Sequence, residues 1–135
     1  MKVTFLILLF LSVCFSVNNQ HNENLVGSYQ SPKNTFFNKV KYGDFAVNLK
    51  LELNKDNTYT YSTCSQITRG KWKFSQNKLS LICQSRKFLI DSLNNIEKYN
   101  KGRICTEDEI FLVEKNTLIQ EITIKNKSFK ILLLK

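Results

Sequence analysis

Cysteine is the residue type whose number and spacing bear most directly on the chemistry of this sequence. Four cysteines occur, Cys14, Cys64, Cys83 and Cys105, and no two of them form a CxxC pair. The chain has a single histidine, His21. Zinc sites are built from clustered Cys and His ligands, and a Cys nucleophile needs a neighbouring base, so this supply argues against both. Disulfide formation is the chemistry that remains most plausible for Cys64, Cys83 and Cys105.

The acidic residues offer little for acid–base catalysis. Asp and Glu total 11, and their one tight run is Glu107-Asp108-Glu109. Such a run can bind a hard cation weakly, but a solvated loop is the more economical interpretation. The sequence has no glycine-rich phosphate loop and no nucleophile elbow. We therefore expect that the protein is not an enzyme and uses no metal or other cofactor.

Aromatic residues at alternating positions are the best candidates for contact with a ligand. Tyr59 and Tyr61 are two apart in one run rich in β-branched residues, and Trp72 and Phe74 are two apart in the next run. Because successive side chains of a strand point to opposite faces, each pair shares a face. In a small barrel the four rings either line a cavity for a small apolar or amphipathic molecule or simply fill the core. Both interpretations predict that Trp72 faces inward.

The elements that must position these rings follow from a period of two residues. Apolar residues alternate with polar ones from Phe45 to Leu53, and turn-forming Asn, Asp, Gln and Lys residues separate this run from similar ones. The predicted strands are 25–30, 45–53, 58–63, 70–74, 79–83, 87–90, 110–113, 118–124 and 129–134. Short connections favour an all-β antiparallel meander of about eight strands.

A sheet of this size must cover its apolar face. The chain of 135 residues allows one domain, and its 42% apolar content excludes a disordered chain. Closing into a small barrel, or curling strongly, hides the apolar face and removes the free edges; a two-sheet sandwich is the alternative. Two long stretches fall outside the meander. We expect a loop at 31–43 and one or two helical turns within 91–109, and such connections are where specificity usually lies.

Several short motifs resemble those of a known family. They are Gly27-Ser28-Tyr29, the alternating run from Leu49 to Tyr59 with its Asn54 and Asp56, Gly70-Lys71-Trp72, and Leu79-x-Leu81. This pattern resembles the small secreted lipocalin-like proteins of Bacteroidetes over residues 25–83, and more loosely over the C-terminal strands. Most members of that family have no known function. The resemblance implies a small lipocalin-like barrel and no particular activity.

The N-terminus has the features of an export signal. Lys2 is followed by an almost wholly apolar run over residues 3–15, which is too short to cross a bilayer and fits a secretory signal peptide. Cleavage after Ser16 gives residues 1–16 as the signal peptide and 17–135 as a single secreted domain. Two alternatives stay open, a lipobox with Cys14 as the lipidated residue and a buried N-terminal helix. We expect an exported protein, periplasmic or extracellular, that contacts a membrane only if Cys14 is lipidated.

Export allows two of the three remaining cysteines to pair. Cys64 and Cys83 would close a loop of about 20 residues, which stabilises a fold by about 3 kcal/mol. Cys105 is an equally good partner by position, and three reduced thiols are the remaining alternative. The sequence therefore predicts a disulfide from Cys64 to Cys83, with these alternatives open, and at least one unpaired thiol.

Basic charge suggests a second function. Lys and Arg total 20, the net charge is +9, and 17 of the basic residues are Lys. So few Arg residues disfavour bidentate recognition of phosphates and bases, and an exported protein rarely meets nucleic acid, so we expect no nucleic-acid partner. The partner is then an unknown small molecule or, alternatively, an anionic polymer or protein at the cell surface. The lysines expected on polar faces or turns are Lys50, Lys71, Lys73, Lys87, Lys125, Lys127 and Lys130.

Overall fold

The period-two runs of the sequence form eight antiparallel strands that close into one barrel. A computed structural model describes residues 24–135. The strands are β1 (Gly27–Gln30), β2 (Lys50–Leu53), β3 (Thr58–Ser62), β4 (Gln66–Ser75), β5 (Lys78–Phe88), β6 (Glu109–Glu114), β7 (Thr117–Ile124) and β8 (Lys127–Leu134). Each strand pairs with its neighbour in sequence, and β1 pairs with β8 to close the barrel. The predicted all-β barrel is confirmed.

The two ends of the barrel differ in their connections. Tight turns at 54–57, 76–77 and 115–116 join β2 to β3, β4 to β5 and β6 to β7 at one end, which we call the short-turn end. At the opposite end β1 connects to β2 through residues 31–49, and β5 connects to β6 through 89–108. We call this the long-connection end. Asn57, Asn77 and Lys115 have positive φ in the tight turns, as short hairpin loops require.

Both long connections contain helical segments. Residues 31–49 contain helix α1 (Phe36–Tyr42) and a 3-10 helix (Asp44–Ala46), so the expectation of a loop throughout 31–43 is wrong. The Thr35 hydroxyl caps α1 by accepting a hydrogen bond from Asn38 N at 3.3 Å. The connection 89–108 has 3-10 helices at Asp91–Asn95 and Glu97–Arg103, which confirms the predicted helical turns.

Two predicted strand boundaries are wrong for identifiable reasons. The run from 45 to 53 is a strand only from Lys50, because Asn48 adopts a positive φ of 59° just before it. The run 79–83 and the first two residues of the run 87–90 belong to one strand, β5, in which a bulge opposite Arg69 and Gly70 shifts the register. A Cβ atom at Gly70 would lie 1.9 Å from the carbonyl oxygen of Ile82, so only glycine fits beside the bulge.

Apolar rings close the interior towards the short-turn end. Trp72 is 2% exposed and faces inward, as predicted, and its indole Nε1 donates to the carbonyl oxygen of Asn54 at 3.1 Å. The hydroxyl of Tyr29 donates to the carbonyl oxygen of Leu25 at 2.8 Å. Around these rings lie fully buried side chains, namely Leu51, Leu79, Leu81, Phe111, Leu118 and Leu133.

The disulfide joins Cys83 to Cys105, with their Cα atoms 5.5 Å apart. The predicted pairing of Cys64 with Cys83 is therefore wrong. Cys64 lies exposed in the β3–β4 turn, whereas Cys83 is opposite the buried Gly70 and shares its inward face. Cys105 reaches Cys83 because the β5–β6 connection folds back along β5. Such a bond indicates a non-reducing environment.

The predictions for the N-terminus fall outside the described residues. These are the signal peptide at 1–16 and the lipidation of Cys14. Within residues 24–135, none of the helices has the length and apolar character needed to cross a bilayer.

Candidate functional site

The wall of the barrel opens between β5 and β6 at the long-connection end. The two strands pair only where Lys78–Leu81 faces Glu109–Leu112, so the second half of β5 pairs with β4 alone. The β5–β6 connection covers this opening. It is held by the Cys83–Cys105 disulfide and by the Gln66 side-chain amide, which donates to the carbonyl oxygen of Gly102 at 2.8 Å.

Polar side chains point into the barrel beside this opening. Residues directly opposite each other on antiparallel strands point to the same face of the sheet. Glu109 is opposite the buried Leu81, and Gln120 is opposite the buried Ile131. Arg86 is likewise opposite Thr68, which is 5% exposed. We call this part of the interior the mouth, lined by Tyr59, Tyr61, Thr68, Arg86, Glu109 and Gln120.

Hydrogen bonds link the polar side chains of the mouth in two pairs. The Gln120 amide Nε2 donates to the Glu109 carboxylate Oε2 at 2.6 Å, and Arg86 Nε donates to the Thr68 hydroxyl at 3.3 Å. Arg86, Glu109 and Gln120 are half-buried although they face inward. They are therefore less buried than the apolar side chains around Trp72, such as Leu79 and Leu81.

The hydroxyl of Tyr59 lies in the mouth without a hydrogen-bond partner, although the residue is only 2% exposed. The pKa of Tyr59 is raised to about 12, mainly by burial and then by the negative charge of Glu109, while the positive charge of Arg86 opposes the rise. Tyr61 is 5% exposed, and its ring packs edge-on against Phe111 with the ring centres 6.1 Å apart. Burial, followed by the charge of Glu109, raises the pKa of Tyr61 as well.

This arrangement suits binding of a polar group. Both tyrosines stay protonated at neutral pH, because their raised pKa values lie far above it. They therefore present hydroxyl donors, while Glu109 presents acceptors and Gln120 presents both kinds of group. No group of three or more His, Cys, Asp or Glu side chains able to hold a metal occurs within residues 24–135. The mouth thus combines donors and acceptors with an apolar wall.

The four aromatic residues proposed from the sequence do not form one site. Tyr59 and Tyr61 line the mouth, whereas Trp72 belongs to the buried core towards the short-turn end. Phe74 is half-buried, packs against the core, and lines an open cleft of about 610 Å³ at the short-turn end. The other residues lining this cleft are Asn24, Leu25, Asn77, Val113, Lys115, Asn116 and Lys135.

Sequence reasoning missed the three half-buried polar side chains of the mouth. A signal existed for two of them, because Glu109 has the same parity as the inward-facing Phe111, and Gln120 the same parity as Leu118. Glu109 was not recognised as an inward-facing residue, because the acidic run 107–109 is equally typical of a solvated loop. Arg86 could not be found in this way, because the bulge in β5 reverses the phase of its side chains.

Comparison with known proteins finds no match to this chain. No protein-family model matches it, no curated protein matches it, and no solved structure matches it. The resemblance to small lipocalin-like proteins therefore stays a hypothesis.

Proposed function

We propose that this protein is an exported barrel that binds one small amphipathic molecule in its mouth. The polar end of the molecule would contact Glu109, Gln120 and the hydroxyl of Tyr59. Its apolar part would lie along the rings of Tyr61 and Phe111 and under the long connections. The observation that carries the proposal is the buried, unpartnered hydroxyl of Tyr59 among polar side chains inside an otherwise apolar barrel.

The physical argument concerns the cost of that hydroxyl. A buried hydroxyl without a partner costs about 1–3 kcal/mol relative to one that is hydrogen-bonded. The hydroxyl of Tyr29, towards the short-turn end of the same barrel, avoids this cost by donating to the carbonyl oxygen of Leu25. A bound molecule that offers an acceptor near Tyr59 would remove the cost. Because donors and acceptors both line the mouth, the expected ligand has a hydrogen-bonding head rather than a purely hydrocarbon surface.

Export is part of the proposal. The apolar run at 3–15 supports a signal peptide, and the Cys83–Cys105 disulfide supports an oxidising compartment. Small secreted lipocalin-like barrels, which the sequence resembles, would share this location.

Native mass spectrometry of protein from a secretion-competent host tests the function. We expect a non-covalent adduct on the wild-type protein that is lost on denaturation. Tyr59→Phe and Glu109→Gln should reduce the bound fraction by about tenfold, since each removes one hydrogen bond to a polar head. Lys115→Gln, in the cleft that contains Phe74, is the matched control and should retain the adduct.

Two outcomes would contradict binding in the mouth. Loss of the adduct in Lys115→Gln, together with its retention in Tyr59→Phe, would assign the ligand to the cleft. Bare wild-type protein that also fails to bind an amphipathic dye, anilinonaphthalene sulfonate, would remove the proposal altogether.

The outer face of β4 favours a second candidate function. Arg69, Lys71 and Lys73 alternate along this strand, so their side chains share the exposed face and form a basic stripe. This stripe could engage an anionic polymer or an acidic protein at the cell surface. Retention on an anionic polysaccharide column that falls sharply in Lys71→Gln/Lys73→Gln would support it. Equal retention of that variant and the wild-type protein would reject it.

A further inference from the structure

Helix α1 exposes the most accessible large apolar side chains within residues 24–135. Phe36 is 77% exposed, Phe37 is 82% exposed and Val40 is 73% exposed. The exposed apolar residues of the other long connection are more covered, with Ile90 at 61% and Ile104 at 54%. Exposure of two adjacent phenylalanines is unfavourable in water, so this helix requires an explanation other than packing within the barrel.

The apolar side chains of α1 share the face that points away from the barrel. Successive residues of a helix are about 100° apart. Asn38 and Tyr42 therefore lie on one face, and Phe36, Val40 and Phe37 lie on the opposite one. The inner face contacts the barrel through Tyr42, which packs against the core. On the same face the Asn38 amide donates to the carbonyl oxygen of Lys33, in the segment before the helix, at 2.8 Å.

Basic residues flank this outward apolar face on both sides. Lys39 and Lys41 lie at its two edges, and Lys33 precedes the helix. The segment 32–43 contains no acidic residue. Asp44, the first acidic residue after it, is itself exposed and lies 3.7 Å from Lys39.

The β7–β8 turn adds charge of the same sign beside the helix. Phe45, in the 3-10 helix that follows α1, packs edge-on against Phe129 of β8 with ring centres 4.6 Å apart. This contact places the turn with Lys125 and Lys127, both exposed, next to the base of the helix. The surrounding charge is therefore positive, and the complementary partner is anionic.

We propose that α1 docks this protein on an anionic lipid surface. Phe36, Phe37 and Val40 insert at the boundary between headgroups and acyl chains, and the flanking lysines contact lipid phosphates. The projecting shape favours a membrane over a protein partner, because the three apolar side chains stand out from the barrel and a fluid interface needs no matching groove. This docking is independent of ligand binding in the mouth and of lipidation at Cys14.

Vesicle co-sedimentation tests the proposal, using secreted protein whose mass shows no acyl chain. We expect binding to vesicles that mix phosphatidylcholine and phosphatidylglycerol equally, and weak binding to phosphatidylcholine alone. Phe36→Ala/Phe37→Ala should reduce the bound fraction by at least about tenfold. Ile90→Ala/Ile104→Ala, at the other long connection, is the matched apolar control and should bind as wild type does. Both variants should melt like the wild-type protein, since none of these side chains is buried.

A second pair of variants tests the charges. Lys39→Gln/Lys41→Gln should weaken binding to the anionic vesicles severalfold and reduce its dependence on salt. Lys71→Gln/Lys73→Gln, on the outer face of β4, is the control of equal charge change. A larger loss in this control than in the α1 variant would move the contact to the basic stripe and overturn the proposal.

Fluorescence separates insertion from simple adsorption. Phe37→Trp places an indole on the exposed face, and its emission should shift to the blue only with anionic vesicles, while the buried Trp72 contributes a constant signal. Co-sedimentation without any shift would contradict insertion. A native dimer that Phe36→Ala/Phe37→Ala abolishes, combined with no vesicle binding, would show that α1 contacts a second copy of the chain instead.

Discussion

The short-turn end and the long-connection end of this barrel differ in whether their buried polar atoms have hydrogen-bond partners. At the short-turn end, the indole of Trp72 and the hydroxyl of Tyr29 each donate to a backbone carbonyl within the protein. At the long-connection end, the equally buried hydroxyl of Tyr59 has no partner, and three half-buried polar side chains face the interior beside it. Within one barrel, therefore, the buried polar groups of Trp72 and Tyr29 are hydrogen-bonded, whereas the buried hydroxyl of Tyr59 is not.

The difference follows from how the strands connect. Short hairpins keep neighbouring strands paired up to the turn, so the side chains around Trp72 pack into a buried core, with the open cleft beyond them. The long connection 89–108 lets β5 and β6 separate. There the Cys83–Cys105 disulfide, rather than backbone hydrogen bonds between the two strands, holds the segments together. Of the polar side chains that face the interior, Arg86, Glu109 and Gln120 lie beside this opening and are half-buried rather than fully buried.

The largest expected loss of stability follows from a substitution in the core towards the short-turn end. Trp72→Ala should lower the free energy of unfolding by about 3–5 kcal/mol, because it removes a buried ring and leaves a cavity. Chemical denaturation monitored by circular dichroism measures this loss. A loss below about 1 kcal/mol would show that the ring is not part of a closed core.

Removing the disulfide should be next in size. Cys105→Ser should destabilise the protein by about 3 kcal/mol, since the bond closes a loop with a sequence separation of 22. Cys64→Ser is the control and should change the free energy of unfolding by less than about 0.5 kcal/mol, because Cys64 is exposed and unpaired. Equal effects of the two variants, measured by denaturation without reductant, would reject the observed pairing.

Alkaline pH should lower the free energy of unfolding through the ionisation of Tyr59. Its pKa is about 12 in the folded protein and about 10 when unfolded. The folded state holds the proton more tightly, so the stabilisation is complete below pH 10 and is lost as the pH rises from 10 to 12. A difference of two pKa units corresponds to about 2.7 kcal/mol, and Tyr59→Phe should show a correspondingly shallower fall in stability over that range. Identical pH profiles for the two proteins would contradict the assigned burial.

The smallest expected effects have opposite signs at the two ends. Tyr29→Phe should destabilise the protein by about 1 kcal/mol, because it leaves the buried carbonyl oxygen of Leu25 unpaired. Tyr59→Phe removes an unpaired hydroxyl and should be neutral or stabilise by about 1 kcal/mol. Thermal unfolding of the ligand-free proteins measures both changes. Destabilisation of equal size by the two variants would mean that the Tyr59 hydroxyl does have a partner.

Much of the fold could be predicted from the sequence, because period-two alternation and turn residues report directly on antiparallel strands. The inward orientation of Trp72 followed from that alternation alone. The extent of β5 did not, since a bulge beside Gly70 reverses its phase and depends on contact with another strand. Helix α1 was missed because its apolar residues face solvent, which inverts the pattern by which a helix is recognised.

The candidate site was predicted only in part. Tyr59 and Tyr61 were found because buried aromatics follow the strand period. Glu109, Gln120 and Arg86 were not, since their role depends on which strands separate at the mouth, and that is decided by the fold of residues 89–108. The disulfide partner of Cys83 depends on the same segment.

A high-resolution crystal structure of the protein, purified without denaturation from a secretion-competent host, would test the central claim most directly. We expect electron density for a bound molecule in the mouth, with a polar atom within hydrogen-bond distance of the Tyr59 hydroxyl and its apolar part along Tyr61. A mouth filled by the protein's own side chains, with the Tyr59 hydroxyl bonded to one of them, would contradict the proposed binding site.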